Sequence, residues 1–319
     1  MDATAALRDG GPVLAEGAVI ERLRRQGAAP LDPHVLHALH LYDPAARRAL
    51  EGIYREYLAA GLDRGLPVLL LTPTWRASAE RLARAGGPDC AALSREAVGL
   101  LAALRDAAGA DGRAIIGGLM GPRGDAYDPA GGLDEDAAAA FHAEQARALA
   151  VAGADLIMAA TLPTAPEALG LARAMAATGR PYLVSYVLRP AGTLLDGTPL
   201  GEAVARIDGA VDPPPLAHMA NCVHPRIFAA AFRRALKAAP ALAGRLVGLQ
   251  ANTSPLPPEK LDGSAALHAE NPETFAALML GLREEFGLRV LGGCCGTDGE
   301  HIRCLAALLA PAAGPGESP

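Results

Sequence analysis

Eight short β-prone runs alternate with stretches of helical period along the whole chain, and this alternation limits the fold more than any other feature. The runs are Val13 to Glu16, Pro67 to Thr72, Ala114 to Leu119, Asp155 to Ala159, Pro181 to Val187, Ala217 to Cys222, Leu246 to Ala251 and Arg289 to Gly292. The clearest helical patterns between them are Pro44 to Ala60, Asp134 to Ala152 and Pro272 to Phe286. Asp43-Pro44 and Asn271-Pro272 have the form of an N-cap followed by a first-turn proline, and Gly61 and Gly287 that of helix stops. Eight strand–helix units joined by right-handed crossovers close into a (β/α)8 TIM barrel, the α/β architecture expected here. An open doubly wound sheet is the rival, but its first strand would normally run into a Gly-rich phosphate turn, and none follows Val13 to Glu16. No linker splits the chain and no fixed period recurs, so residues 1–310 are expected to form one barrel. The Pro/Gly/Ser-rich residues 311–319 are expected to be a disordered tail.

Composition narrows the partners. The 319 residues are 51% apolar, enough to bury a large core and too many for a disordered chain. A net charge of −6, the lack of a basic run and an aromatic content of 4% argue against nucleic acid and for a small-molecule partner. The first residues show no basic region followed by an apolar one, and charged residues interrupt the Ala-rich stretches too often for a membrane span. A cytoplasmic location is therefore expected. The apolar helix faces of a barrel are compatible with a homo-oligomer. Five cysteines, an odd number, read in a reducing compartment as ligands, nucleophiles or core residues rather than as bridges.

In a barrel the reactive side chains stand at the C-terminal ends of the strands. That rule selects Glu16, the segment from Thr72 to Arg76, Gly121, Ala160-Thr161, Asn221-Cys222, Asn252 and Cys294-Cys295. A lone strand-end cysteine reads as core filling. The run Gly292-Gly293-Cys294-Cys295-Gly296-Thr297 is different, because neighbouring cysteines are poorly placed to bridge each other and the flanking glycines let the backbone turn sharply. With Cys222 from the sixth strand, they offer a three-sulfur face to Zn²⁺. Three protein ligands and one exchangeable position form the pattern of a catalytic zinc site.

These residues also carry a resemblance. Gly292 to Thr297 together with Asn221-Cys222-Val223-His224-Pro225 resembles the zinc-dependent homocysteine S-methyltransferase family. The likeness continues through Leu58 to Gly61, Thr72 to Ser78, the Gly121-Pro122 loop, Glu144 to Leu149, Ala152 to Asp155, Asp196 to Thr198 and Asn252 to Ser254. It implies that Cys222, Cys294 and Cys295 hold zinc, and that a substrate thiol enters the fourth position as thiolate and accepts a methyl group from an onium-type or comparable donor. Glu16, Gly17, Thr72, Trp75, Arg76, Asn221, Asn252 and Gly293 are the residues expected to shape the pocket.

The departures from the family pattern concern the amino acid's ammonium group. The family's first-strand Asp is Glu16 here, and its fourth-strand Glu is replaced by Ala160, while Trp75 is followed by the cationic Arg76. A pocket with one carboxylate fewer suits an α-ammonium less well. The acceptor is therefore expected to be a thiol or selenol that lacks the α-amine or carries an extra carboxylate, or else homocysteine served by Glu16 alone or by a neighbouring residue. Two other readings share the barrel. One is a zinc-dependent demethylase passing methyl from a thioether or onium compound to another carrier; the other is a zinc- or redox-sensing protein on an inactive barrel.

Among the remaining residues, Trp75 reads either as a wall for an onium donor or as a packed rim residue. His34, His37 and His40 recur as one helical stripe, reading as a helix face or pocket edge. His224 reads as solvated, and His301 and Cys304 as packing of the last helix. Arg123, Asp125 and Asp128 read as a solvated lid.

Overall fold

The computed structural model describes residues 3–8, 11–255 and 270–310. The tail expected at residues 311–319 lies outside the described residues. Eight parallel strands close in sequence order into a barrel: β1 (Val13–Ala15), β2 (Val68–Leu71), β3 (Ala114–Met120), β4 (Leu156–Leu162), β5 (Tyr182–Tyr186), β6 (Ala217–Val223), β7 (Leu246–Ala251) and β8 (Val290–Gly293), with β8 pairing back to β1. The helices are α1 (Ala3–Arg8), α2 (Ile20–Gln26), α3 (Pro44–Leu62), α4 (Ala79–Arg84), α5 (Cys90–Ala107), α6 (Glu135–Val151), α7 (Ala165–Ala176), α8 (Leu200–Ala210), α9 (Pro225–Ala238), α10 (Pro272–Phe286) and α11 (Gly299–Leu309). This is the (β/α)8 barrel that the alternation predicts. Among the described residues no helix is long and apolar enough to cross a membrane.

Two apolar layers hold it together. Side chains that point into the barrel, among them Val13, Leu69, Ile115, Met158, Met219 and Val290, fill its interior as one cluster. Their strand neighbours, such as Leu14, Val68, Leu70, Ile157 and Leu291, point outward and pack under the helices. That division follows from the two-residue period of a strand whose two faces are both covered.

Helix α3 shows how the sequence builds a positioning element. The Asp43 carboxylate accepts the amide N–H groups of Ala45 and Ala46, and Pro44 occupies the first turn, as expected. Its buried face includes Leu50, Tyr54, Tyr57, Leu58 and Gly61, spaced three and four residues apart. Gly61, expected to stop the helix, lies within it, because a side chain there would run into Val68. Gly287 does end α10, at φ 69°. From α3 the Tyr54 hydroxyl donates to the Leu71 carbonyl at 2.8 Å and the Tyr57 hydroxyl to the Ala18 carbonyl at 2.7 Å, tying the helix to the tops of β2 and β1.

The expected strand boundaries hold within a few residues except on β4, which runs on through Ala160 and Thr161 to Leu162. Its pairing with β5 shifts register between Ala159 and Leu162, and that of β6 with β7 between Asn221 and Val223. Thr161 and Cys222 lie at these irregularities with φ of 65° and 54°. Left-handed backbone at β-branched or bulky residues is costly and persists only where surrounding contacts impose it.

Candidate active site

The C-terminal ends of the strands open into a cavity of about 220 Å³. Every residue expected at the pocket reaches it: Glu16 and Gly17 after β1, Thr72, Trp75 and Arg76 after β2, Asn221 and Cys222 on β6, Asn252 after β7, and Gly293, Cys294 and Cys295 at β8. Cys222 Sγ lies 2.6 Å from Cys294 Sγ, which lies 4.0 Å from Cys295 Sγ, and all three sulfurs fall within 4.8 Å of one another. Among the described residues this is the one group of three or more Cys, His, Asp or Glu whose ligand atoms converge in this way. Cys90 and Cys304 stand apart on α5 and α11, as expected.

Local constraints aim the sulfurs. Asn221 Oδ1 accepts the Thr161 amide at 2.9 Å and the Ser185 hydroxyl at 2.7 Å, while Nδ2 donates to Thr161 Oγ1 at 2.7 Å and to Cys222 Sγ at 3.4 Å. One amide side chain thus fastens the irregular ends of β4 and β6 and contacts a thiol. On β8 the Cys294 amide donates to the Ala251 carbonyl, and the Thr297 hydroxyl donates to the Cys294 carbonyl. The Gly296 amide donates to the Glu21 carboxylate at 2.6 Å. A Cβ at Gly293 would collide with Thr297, and one at Gly17 would stand 2.9 Å from Thr297 Oγ1 and Tyr57 Oη, so both glycines are required by close approach.

The three thiols do not titrate alike. The Cys294 thiol in contact with it, and then the nearby Cys295 thiol, hold Cys222 well below the usual thiol range. Its thiolate in turn pushes Cys294 and Cys295 well above it. Without a counter-cation the cluster therefore carries about one negative charge, and a divalent cation is what would allow all three sulfurs to ionise. A convergent soft donor set of this kind fits a zinc-like metal.

Burial pushes the Glu16 carboxyl up to about 8, partly opposed by the Leu71 amide it accepts at 2.8 Å. Thr72 is a buried strut: its hydroxyl meets that of Thr74 at 2.7 Å and accepts the Leu119 amide at 2.9 Å. Trp75 is not an open cage wall, because its indole N–H donates to the Ala160 carbonyl at 3.2 Å and the Arg76 guanidinium sits over its ring at 5.3 Å.

Several expectations need correction. The His34–His40 segment is no helical stripe: an antiparallel bridge joins Asp32 to Leu36, and Ala38–Tyr42 is a 3-10 helix. His37 alone of the three lines the cavity. His224 is buried rather than solvated; it caps α9 by accepting the Arg226 amide and meets Glu270 at 3.2 Å. Asp125 reaches the cavity, but Arg123 turns away to pair with Glu80 at 3.1 Å, and Asp128 caps a short 3-10 turn. His301 does pack the last helix as expected, buried against Phe275, and it also joins a capping box with Asp298 at the start of α11.

Tyr127 is a site residue that the strand-end rule does not select. It lines the cavity from the long loop after β3, where it shares the pocket with Cys222 and helps hold that thiol's pKa down. The signal in the sequence is the Asp125 turn, whose carboxylate accepts the Tyr127 amide at 2.9 Å and so directs that residue inward. Glu167 holds the same loop from α7, accepting the Arg123 amide at 2.7 Å and meeting His142 at 3.0 Å.

A (β/α)8 barrel with three convergent thiols at its catalytic end defines a class of metal-competent, sulfur-handling enzymes. The comparisons with known proteins narrow that class: the homocysteine S-methyltransferase family model matches residues 13–309. The chain belongs to this family. It is 29% identical over 281 residues to the methionine synthase of Mycobacterium leprae, covering 82% of this chain but only 21% of that protein. The chain thus spans about a fifth of the length of the methionine synthases it matches. It is 32% identical to a homocysteine S-methyltransferase of Escherichia coli over 61% of this chain and 63% of that one. The metallated form of the Escherichia coli homocysteine methyltransferase MmuM superposes with a TM-score of 0.74 at 26% identity, covering 95% of this chain and 99% of that one.

Proposed function

We propose that the chain is a zinc-dependent thiol S-methyltransferase whose acceptor is homocysteine or a closely related thiol. The observation that carries this reading is the convergence of Cys222, Cys294 and Cys295 within 4.8 Å at a substrate-sized cavity. These three residues would hold the metal, and the metallated form of MmuM supports the assignment. When bound, zinc supplies Lewis acidity that lowers a thiol's pKa enough for the acceptor to be thiolate at neutral pH.

The chain's own residues do the rest. Asn221 donates to the Cys222 sulfur while its amide ties the end of β6 to Thr161, and Tyr127 reaches the cavity from the loop after β3 and helps keep that thiol's pKa low. Of the two strand-end positions where the family pattern places a carboxylate, only Glu16 offers one to an acceptor ammonium, since position 160 is alanine. Binding such an ammonium would require Glu16 to give up the proton that burial makes it keep. In the transfer the acceptor thiol loses its proton, its sulfur pair forms the new S–CH₃ bond, and the donor's bond to that methyl breaks with its electron pair left on the donor.

Metal content and methyl transfer, measured on protein purified without added zinc and on Cys294→Ser, test the reading. About one zinc per chain is expected, together with thiol-dependent methyl transfer from at least one of S-methylmethionine, a betaine or S-adenosylmethionine, both lost in the variant. Folded protein that takes up no zinc would overturn it. Donor turnover without any thiol would favour the demethylase reading.

A further inference from the structure

Three buried polar atoms on the cavity wall have no partner among the described residues: Nε of Arg76, Nδ1 of His37 and Oδ1 of Asn252. Arg76 is the most informative because it also carries a full charge. Its guanidinium lies 5.3 Å over the Trp75 ring, and Nη2 donates to the Gly124 carbonyl at 2.9 Å. It forms no ion pair among the described residues. Arg81 is used in the same way, donating to the carbonyls of His34 and Arg123 at 3.1 and 2.8 Å. The loop after β3 is therefore fastened to two guanidiniums through backbone carbonyls, which are dipoles and leave the charge uncancelled.

Among the described residues, none of the acidic groups at the cavity pairs with Arg76. Glu16, Glu21 and Asp125 each accept a backbone amide, from Leu71, Gly296 and Tyr127 respectively. The result is a guanidinium placed over an indole, pinned by a carbonyl, and left at the cavity wall with a buried N–H that has no partner. A planar fork so preorganised matches a carboxylate better than a neutral group.

We propose that Arg76 is the receptor for a carboxylate on one of the two substrates, and makes the site select carboxylate-bearing molecules over their neutral analogues. The proposal rests on the reading above that this cavity takes the thiol acceptor and the methyl donor. Whether the carboxylate belongs to acceptor or donor is decided by two arms of one experiment. Trp75 is the only tryptophan of the chain and lies under the guanidinium, so its fluorescence reports occupancy directly, without turnover. The full-length metal-loaded protein is titrated with homocysteine against homocysteine amide, and separately with glycine betaine against betaine amide.

In one arm the acid is expected to bind about tenfold or more tightly than the amide, the difference made by a charge-assisted bidentate contact. Arg76→Gln brings that ratio close to one, and Arg76→Lys retains part of it. If Arg76 serves only to fasten the loop, Arg76→Gln weakens acid and amide alike and leaves the ratio unchanged, which overturns the proposal. A wild-type ratio near one in both arms does the same. The two readings fail separately: acid selectivity without methyl transfer sinks the methyltransferase assignment and leaves Arg76 standing, whereas methyl transfer without acid selectivity does the reverse.

Discussion

Strand β6 carries polar groups at both ends, and the two ends are treated in opposite ways. Near its start, His218 is enclosed by partners: Nδ1 meets the Tyr186 hydroxyl at 2.9 Å, and Nε2 meets Asp208 at 3.0 Å. Asp208 is also gripped by Arg245 through bonds of 2.6 and 2.7 Å, and Arg245 directs further donors to the carbonyls of Pro215 and Leu216. Near its end, Cys222 faces two more thiols that cannot all ionise together, under backbone that a β-strand would not choose. One end is a closed network in which each charge has a partner. The other is left short of positive charge, which a divalent metal would supply. In this barrel, as in the architecture generally, one end serves stability and the other chemistry.

Mutations at the two ends should therefore separate metal binding from stability. The largest effect is expected for Cys294→Ser: removal of one of three ligands should abolish stoichiometric zinc and lower methyl transfer about a thousandfold or more, with melting of the metal-free protein little changed. Elemental analysis beside a thermal melt checks it. Asn221→Ala should weaken zinc about ten- to a hundredfold, the usual result of removing a group that orients a ligand, read by competition with a chelator. The comparison breaks if Asn221→Ala leaves metal affinity intact and only lowers the melting temperature.

Asp208→Ala should do the converse, costing about 2 kcal/mol by stranding Arg245 and His218 while zinc content stays at the wild-type level. The same network sets an acid limit. Burial works against an ionised Asp208, but bonds from His218 and Arg245 outweigh it and lower its pKa to about 2. Its contribution is complete above the unfolded value of 3.8 and is lost as pH falls toward about 2. Burial keeps His218 below its ordinary value, so protonation in the unfolded chain also favours unfolding as pH drops below 6.5.

Glu16, at the chemical end, has the opposite sign. The folded protein keeps its proton up to about pH 8 while the unfolded chain releases it near 4.5, so the folded state binds more protons across that window and stability falls as pH rises through it. Glu16→Gln should remove this slope, worth on the order of a few kcal/mol, so that the variant melts above the wild type at alkaline pH and near it in acid. Tyr127→Phe is expected to have the smallest effect. Loss of the hydroxyl that helps lower the Cys222 pKa should raise that pKa and slow the thiol's reaction with a thiol reagent in metal-free protein a few-fold.

Much of this is legible in the order of the residues. The alternation of strand and helix names the barrel, and the strand-end rule collects Glu16, Asn221, Cys222, Asn252, Cys294 and Cys295 at one cavity from distant parts of the chain. What misleads is local pattern where non-local bonds decide. The three-residue spacing of His34, His37 and His40 looks helical, yet Asp32 and Leu36 exchange backbone hydrogen bonds at 2.9 Å and fold that segment back on itself. Gly61 looks like a stop, yet Val68 needs the space its missing side chain leaves. Pattern alone ends β4 at Ala159, because nothing local shows that Asn221, on another strand, holds Thr161 at φ 65°.

Sequence alone determined the barrel, the end at which chemistry sits and the identity of the three sulfurs, because each follows from period, chain order and residue type. Folding adds that Cys222 is the thiol held low while Cys294 and Cys295 are pushed up, that Glu16 holds its proton to about pH 8, and that Arg76 lies over Trp75 with an N–H unpartnered. Those properties depend on burial and on partners brought from other strands and loops. Such contacts exist only once the barrel has closed.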